Sequence, residues 1–399
     1  MDRISDLSSN QNISMDFITP RFSKKVIIST LILIICGALN TILFKEQTAA
    51  FGLPESMISI QVFIIFIGQY MNLIIFYAKI LAHRRNLMVH FQKYKNRALI
   101  SGRRFHFSTS SFAFAAFINC FASLMQLYAL VHLSPSSFQM FTGFGVLFTP
   151  FISRVILKRR LYRHTAVGIL SSLLGLALIV VSSYYFDTTD QHLRENWLST
   201  IVVMILGVFL TSLQRVYEEW LFDKIETSAY RFIGYEGYYG ILFLFVGHLT
   251  FLAINKQTGN HLADIGLEIM TVLRSKALFI SSLFLIISTT VYDLTGVIVT
   301  KKVSATYRVV NETARVILVW LIQIFVFDLY NQNIKNLDYM LLTFSKLIGY
   351  SLLIFGNVLI NEIAEISVCG LNRYFGRYQN SKMEDEMVEE SEEFSIMKS

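Results

Sequence analysis

The residues best suited to chemistry in this 399-residue chain are polar side chains that lie inside long apolar runs. Ionisable groups in such runs are costly to place in lipid, and they usually face a cavity or a partner. The candidates for substrate binding or gating are Asn40, Lys45, Gln126, Gln139, Thr142, Arg215, Glu236, Tyr238, Tyr292, Asp293, Glu312 and Arg315. Amides, hydroxyls and charges of both signs are typical of a site that binds a polar solute.

Several of these residues have a structural interpretation beside the functional one. Glu312 and Arg315 are spaced i, i+3, so they share a helix face and can pair. That pair could be purely structural, or it could gate or contact a substrate. Asp293 has no obvious local partner, so it could be a proton or cation site, or it could pair with a cation from another segment. Lys45 could instead extend its amine to the membrane surface.

No arrangement of nucleophile, acid and base is present, so we predict no enzymatic activity and no cofactor. A glycine loop before Lys-Ser/Thr is absent, which disfavours an ATP-driven pump. The eight histidines lack metal-ligand spacing, so we predict no metal site. Cys36, Cys120 and Cys369 make no disulfide framework. The net charge of +7 comes without nucleic-acid motifs, so no nucleic-acid partner is expected.

The elements that must position these residues are membrane-spanning helices. The chain is 54% hydrophobic and only 16% charged, whereas soluble proteins are about 25% charged. A helix needs roughly 20 apolar residues to cross the bilayer, and lipid forces the backbone to satisfy its own hydrogen bonds. We therefore predict an all-α membrane protein with ten transmembrane helices. The predicted spans are 25–44, 58–81, 107–131, 137–157, 165–185, 197–217, 230–254, 277–299, 306–327 and 339–361.

The distribution of Lys and Arg predicts the orientation. With the N-terminus in the cytosol, 24 of the 35 basic residues lie on the cytosolic side and six on the other side. This asymmetry follows the positive-inside rule, and ten spans place both termini in the cytosol. The sequons at Asn12 and Asn311 should then be unused, since they lie on the cytosolic side or inside a span. Glu218 and Glu219 are expected at the cytosolic interface, in a structural or gating ion pair.

A weak internal repeat divides the spans into two halves. Leu133-Ser134-Pro135 resembles Val303-Ser304-Ala305, and Gly175-Leu-Ala-Leu-Ile resembles Gly349-Tyr-Ser-Leu-Leu, at similar offsets. Five spans in each half would insert the halves in opposite senses, giving two inverted five-helix repeats. The predicted units are a cytosolic segment 1–23, a first repeat 24–185, a second repeat 186–361, and an acidic, disordered cytosolic tail 362–399.

Four motifs in order carry a resemblance to a known family. They are Asn40-Thr41 with Lys45; Ser136-Ser137-Phe138-Gln139-Met140 with Gly143 and Arg159-Arg160-Leu161; Glu218-Glu219 with Tyr235-Glu236-Gly237; and Gly296 to Lys301 with Ser304-Ala305-Thr306, Arg308, Arg315 and Trp320. On this pattern, residues 36–361 resemble the drug/metabolite transporter superfamily, in the nucleotide-sugar-transporter-like branch of solute carrier family 35. Thr142 stands where the family pattern leads us to expect arginine, and Asp293 where we expect an amide.

The resemblance implies a secondary carrier that works by alternating access. Its substrate would be a nucleotide sugar or another organic metabolite, with Lys45, Arg215 and Arg315 supplying positive charge and Tyr238 and Tyr292 stacking a base. The branch also resembles vacuolar carriers of cationic amino acids and peptides, which implies a proton-coupled alternative centred on Asp293 and Glu312.

A non-transporting membrane scaffold is the alternative of another class. The predicted partners are the lipid bilayer and a small-molecule substrate, and a homodimer is left open. The resemblance implies an endomembrane location, either the Golgi or the lysosome or vacuole.

Overall fold

The structure is a computed structural model. It describes residues 24–49, 51, 53, 58–82, 110–133, 135–158, 163–186, 191–258, 265–322 and 337–360. These residues form helices and no extended strand. The helices are α1 (Lys24–Ala49), α2 (Ile58–Ala82), α3 (Ser110–His132), α4 (Pro135–Thr142), α5 (Gly145–Ile156), α6 (Arg163–Phe186), α7 (Gln191–Lys224), α8 (Ala229–Thr258), α9 (Ile265–Arg274), α10 (Lys276–Lys302), α11 (Ala305–Ile322) and α12 (Leu337–Ile360).

The all-helical membrane architecture agrees with the prediction. Helices lie at all ten predicted segments, and within the described residues six spans are long and apolar enough to cross a membrane. These six lie in α1, α2, α3, the α4–α5 segment, α7 and α10. Helix α11 is only 18 residues long and carries Arg308, Glu312 and Arg315. The count of ten spans therefore stays a prediction.

The predicted fourth span is a broken helix. Helix α4 ends at Thr142 and α5 begins at Gly145, and the turn between them is closed by bonds from the Gly143 amide to the Met140 carbonyl (2.9 Å) and from Phe144 to Phe141 (3.1 Å). A Cβ on Gly143 would lie 2.8 Å from the Met140 carbonyl oxygen, so any larger residue would force this turn to shift. Broken helices at membrane depth are typical of carrier binding sites.

Small residues bring α6 and α12 together. Gly168 and Gly175 on α6 meet Gly356 and Gly349 on α12, and a Cβ on Gly175 would lie 2.5 Å from the Gly349 carbonyl oxygen. The Ser171 hydroxyl donates to the Leu352 carbonyl (2.9 Å). Close backbone contact through glycine and serine is the usual way to pack helices in lipid.

This contact gives a direct test of the packing. Gly175→Ala should lower the free energy of unfolding by about 1–3 kcal/mol, because the new methyl group overpacks the seam. The matched control is Gly247→Ala on α8, where an added Cβ meets nothing within 4 Å. That change should be neutral or stabilising, since alanine favours a helix by up to about 1 kcal/mol. The measurement is thermal unfolding of both variants in detergent, and equal midpoints would contradict the packing account.

The predicted segments 1–23 and 362–399 lie outside the described residues. So do residues 83–106, whose seven Lys and Arg predict a basic loop on the cytosolic side. The apolar core is centred between α1, α2, α3, α4, α7 and α10. Its largest buried cluster includes Phe44, Phe66, Leu130, Phe138 and Leu285. This cluster borders the cavity described next, because Phe44, Leu130 and Phe138 also line that cavity.

Candidate functional site

A cavity of about 140 Å³ lies between helices of both predicted halves. Its walls come from α1 to α4 on one side and from α7, α8, α10 and α11 on the other. Six residues predicted from the sequence line it: Asn40, Gln126, Arg215, Tyr292, Asp293 and Arg315. The predominantly apolar helices thus enclose a cavity with polar walls.

Two arginines and two glutamates form a buried network at one side of the cavity. Arg308 donates from Nε to Glu312 Oε1 (3.0 Å) and from Nη1 to Glu218 Oε2 (3.1 Å). Arg215 Nη2 lies 2.7 Å from Glu312 Oε2. Glu218 is 0% exposed, and Arg308 and Glu312 are each 4% exposed. Buried charges are stable only when they are paired in this way, because desolvation of a lone charge costs several kcal/mol.

The sequence builds this network through local features of α10 and α11. A Cβ on Gly296 would lie 2.6 Å from the Arg308 Cζ, so this glycine lets the guanidinium lie against α10. The start of α11 is capped twice: the Tyr307 amide donates to Ser304 Oγ (3.0 Å), and the Ala305 amide donates to Glu219 Oε2 (2.9 Å). These caps satisfy amides at a helix start that would otherwise be unpaired.

The predicted pair of Glu312 and Arg315 is wrong. The two oxygens of Glu312 are taken by Arg308 and Arg215, as described above. Arg315 instead reaches other helices, donating from Nε to Gln139 Oε1 on α4 (2.8 Å) and from Nη1 to the Tyr292 hydroxyl on α10 (2.9 Å). Helical spacing predicts which side chains of one helix can meet, but an arginine side chain is long enough to bond to a residue on a neighbouring helix.

Gln139 connects these groups to α1 and to the end of α4. Its Nε2 donates to the Thr41 hydroxyl, and its backbone carbonyl accepts from the Thr142 hydroxyl (2.5 Å). Thr142 does not line the main cavity. It lines a smaller one of about 20 Å³, together with Glu312 and Gln126. Gln126 and Thr211 line both cavities, and the Gln126 amide donates to the Thr211 hydroxyl (2.5 Å).

Glu236 lies behind the cavity wall. Its Oε1 accepts from Asn119 Nδ2 (3.0 Å) and from Gln214 Nε2 (2.8 Å), and both amides line the cavity. Glu236 is 0% exposed, and its Oε2 has no hydrogen-bond partner among the described residues. It therefore positions two lining amides rather than facing the chamber itself.

Asp293 lines the cavity directly and is 8% exposed. The Gln69 side chain hydrogen bonds to it. Asp293 Oδ2 and Gln69 Oε1 have no partner among the described residues, and neither does Asn40 Oδ1 on α1. Buried acceptors without donors are rare in proteins, so these atoms indicate a place where a ligand or water completes the bonding.

Two predicted residues lie away from the cavity. Lys45 donates from Nζ to the carbonyls of Leu130 (3.1 Å) and Val131 (2.6 Å), so it caps the end of α3. Tyr238 is 48% exposed and packs beside Tyr70 and Tyr239. It lies two positions after Glu236, which places it on the opposite face of α8.

Sequence reasoning missed several lining residues. Arg308 is named from the sequence only as part of a family motif, and Glu218 is predicted at the cytosolic interface, but both line the cavity. Sequence reasoning passed over Gln69, Asn119 and Gln214 altogether. A usable signal was present on α7, where Thr211, Gln214, Arg215 and Glu218 recur at the helical period. The remaining amides gave no comparable pattern.

The fold and site define a class of protein, a multi-pass helical membrane protein with a charged internal cavity. No protein-family model matches the chain. Curated relatives do match. Solute carrier family 35 member F6 of Pongo abelii is 30% identical over 203 residues, which cover 50% of this chain and 54% of the relative. The same-named protein of Mus musculus is 28% identical over 219 residues, covering 54% and 59%.

An uncharacterized protein of Schizosaccharomyces pombe is 25% identical over 206 residues, covering 51% of this chain and 62% of the relative. One solved crystal structure covers 83% of this chain and 97% of its own at 14% identity, with a TM-score of 0.45, a value too low to establish a shared fold. The chain spans about half the length of the curated relatives that it matches. The chain is similar to these members of solute carrier family 35 over about half of its length, and the predicted resemblance to subfamily F member six is confirmed.

Proposed function

We propose that this protein is a secondary-active transporter that moves a small organic metabolite by alternating access. The observation that carries the proposal is the buried, charged cavity enclosed by helices of both halves. Ionisable residues inside a membrane protein mark solute pathways, and carrier sites lie where two repeats meet. The names of the relatives support a solute carrier.

We propose that the helices form two inverted repeats, 24–185 and 186–361. The helix contacts support this arrangement. In an inverted repeat α1, α2, α3, α4–α5 and α6 would correspond to α7, α8, α10, α11 and α12. Contacts in one half recur between the counterparts in the other half. The contact of α1 with α10 corresponds to that of α7 with α3, and the contact of α2 with α10 corresponds to that of α8 with α3. The contact of α1 with α11 corresponds to that of α7 with α5. The pairs α2–α8 and α6–α12 join counterparts directly.

The proposed orientation has both termini in the cytosol of an endomembrane. Two single substitutions create glycosylation acceptors that test it. Leu262→Thr completes a sequon at Asn260, which the proposal places in the lumen. Ala98→Thr completes one at Asn96 in the basic loop, which the proposal places in the cytosol. The first variant should gain a glycan that a glycosidase removes, and the second should not. The reverse pattern would overturn the orientation.

Counterflow uptake in proteoliposomes tests transport itself. The panel contains labelled nucleotide sugars, nucleotides, cationic amino acids and peptides, each at two pH values. Trans-stimulated uptake of a nucleotide sugar would support the exchanger implied by the family. Uptake of a cationic or zwitterionic solute is the second candidate, favoured by the unpartnered Asp293 Oδ2. If the protein is folded but takes up no solute from this panel or from a broader one, the transport proposal is overturned and a scaffold function is supported.

A further inference from the structure

Two opposite charges in the cavity form no direct ion pair with a described residue. Among the described residues, Arg215 and Arg308 are each paired with glutamate, but Arg315 forms no ion pair. Asp293 forms none either. Both Arg315 and Asp293 line the same chamber. Arg308 and Arg215 act on Asp293 through space, and Glu312 acts on Arg315, but neither residue has a direct ion pair within the described part of the chain. A buried charge without a direct partner is incompletely compensated for its lost hydration, so each of these two residues offers a favourable site to a ligand of opposite charge.

The hydrogen bonding around each charge also indicates a place for a ligand. Arg315 uses Nε and Nη1 on Gln139 and Tyr292, which leaves Nη2 without a bond to a described residue. At the other charge, Asp293 Oδ2 and Gln69 Oε1 are acceptors without donors. Asp293 is 8% and Gln69 3% exposed, so bulk water does not compensate them. The part of the cavity around Asp293 and Gln69 therefore lacks hydrogen-bond donors, whereas Arg315 offers a donor.

We propose that this cavity binds a zwitterionic solute, whose ammonium group meets Asp293 and Gln69 and whose anionic group meets Arg315. An ammonium group has three donors and no acceptor, which suits two unsatisfied oxygens. A carboxylate accepts well from a guanidinium nitrogen. The inference rests on the proposed transport function, because it names the class of substrate for the same site.

The size of the chamber agrees with a small solute. Its volume of about 140 Å³ is close to that of an engineered protein cavity of about 150 Å³ that holds one benzene molecule. The charges of the other two arginines in the lining, Arg215 and Arg308, are neutralised by Glu312 and Glu218, and Arg215 Nε is the further donor left without a bond to a described residue. A simple amino acid or an amine-bearing acid fits these limits.

A ligand series on the purified full-length chain tests the proposal without any mutation. The probes are glycine, 4-aminobutyrate, 6-aminohexanoate and leucine, each compared with its N-acetyl derivative, which lacks the cation, and its methyl ester, which lacks the anion. The readout is ligand-dependent thermal stabilisation in detergent. At least one zwitterion should stabilise at a concentration at least ten-fold lower than both of its derivatives. The proposal would be overturned if, for every probe, one of the two derivatives stabilised the protein as well as the zwitterion or better. It would also be overturned if no probe stabilised the protein.

Two variants then assign the ends of the ligand. With Asp293→Asn, the best zwitterion and its N-acetyl derivative should bind equally. With Arg315→Gln, the zwitterion and its methyl ester should bind equally. Glu226→Gln is the matched control, since it removes a buried carboxylate that pairs with Lys301 outside the cavity. A merely structural role would weaken all ligands alike, so unchanged selectivity in folded variants would contradict the assignment.

Different results would overturn the ligand assignment and the transport proposal. If the zwitterion stabilises the protein but is not taken up in counterflow, the ligand assignment stands and the transport proposal fails. If a nucleotide sugar exchanges across the membrane and no zwitterion binds, transport stands and the ligand assignment fails.

Discussion

Arg308→Met should be among the most destabilising single substitutions in the described part of the chain. Arg308 donates to Glu218 and to Glu312, and all three side chains are nearly inaccessible to water. Removing one partner of a buried ion pair typically costs about 3–5 kcal/mol, because it leaves the other charge uncompensated. We expect a large loss of monodisperse protein after detergent extraction and a strongly lowered thermal midpoint.

The control for this experiment is Arg154→Met. Arg154 lies in the last turn of α5 and is exposed, so its loss should change stability little. Adding Glu218→Gln to Arg308→Met should restore part of the stability, since Glu218 loses its ion pair with Arg308 whereas Glu312 keeps the one with Arg215. A variant Arg308→Met as stable as Arg154→Met would contradict the network.

Asp293→Asn should lower transport by about 10- to 100-fold and leave the fold intact. Asparagine has the same shape and can still accept a bond from Gln69, but it has no negative charge to hold a cationic group. A hydrogen bond to a charged group contributes about 1.5–3 kcal/mol, which is about one to two powers of ten in affinity. The measurement is initial uptake in proteoliposomes, normalised to reconstituted protein.

The matched control is again Glu226→Gln, which should transport at close to the wild-type rate. A thermal midpoint for each variant separates loss of function from loss of fold. If Asp293→Asn is folded and transports like the control, then Asp293 has no part in substrate binding.

The helical architecture could be predicted because the bilayer imposes it. A long apolar run must form a helix in lipid, so the sequence alone indicated where α1, α2, α3 and α10 lie. The same reasoning could not find the break at Gly143, since apolar residues continue on both sides of it. Nor did it anticipate α9, a ten-residue helix that precedes α10.

The site was only partly predictable, for a different reason. Polar residues in apolar runs gave Asp293 and Arg315, which line the cavity. Their partners depend on the packing of helices that are distant in sequence. Arg308 and Glu218 are 90 positions apart, and Arg315 and Gln139 are 176 apart. No local spacing encodes such contacts, so the local pair of Glu312 and Arg315 was the natural but wrong expectation.

Accessibility of the cavity from both sides of the membrane tests the central proposal most directly. A single cysteine at Thr211, which lines the cavity, would be placed in a chain without Cys36, Cys120 and Cys369 and reconstituted in liposomes of known orientation. Alternating access predicts that an impermeant thiol reagent modifies this cysteine from either side, one side at a time, and that the zwitterionic solute shifts the balance between the two. Modification from one side only, under every ligand condition, would contradict a carrier.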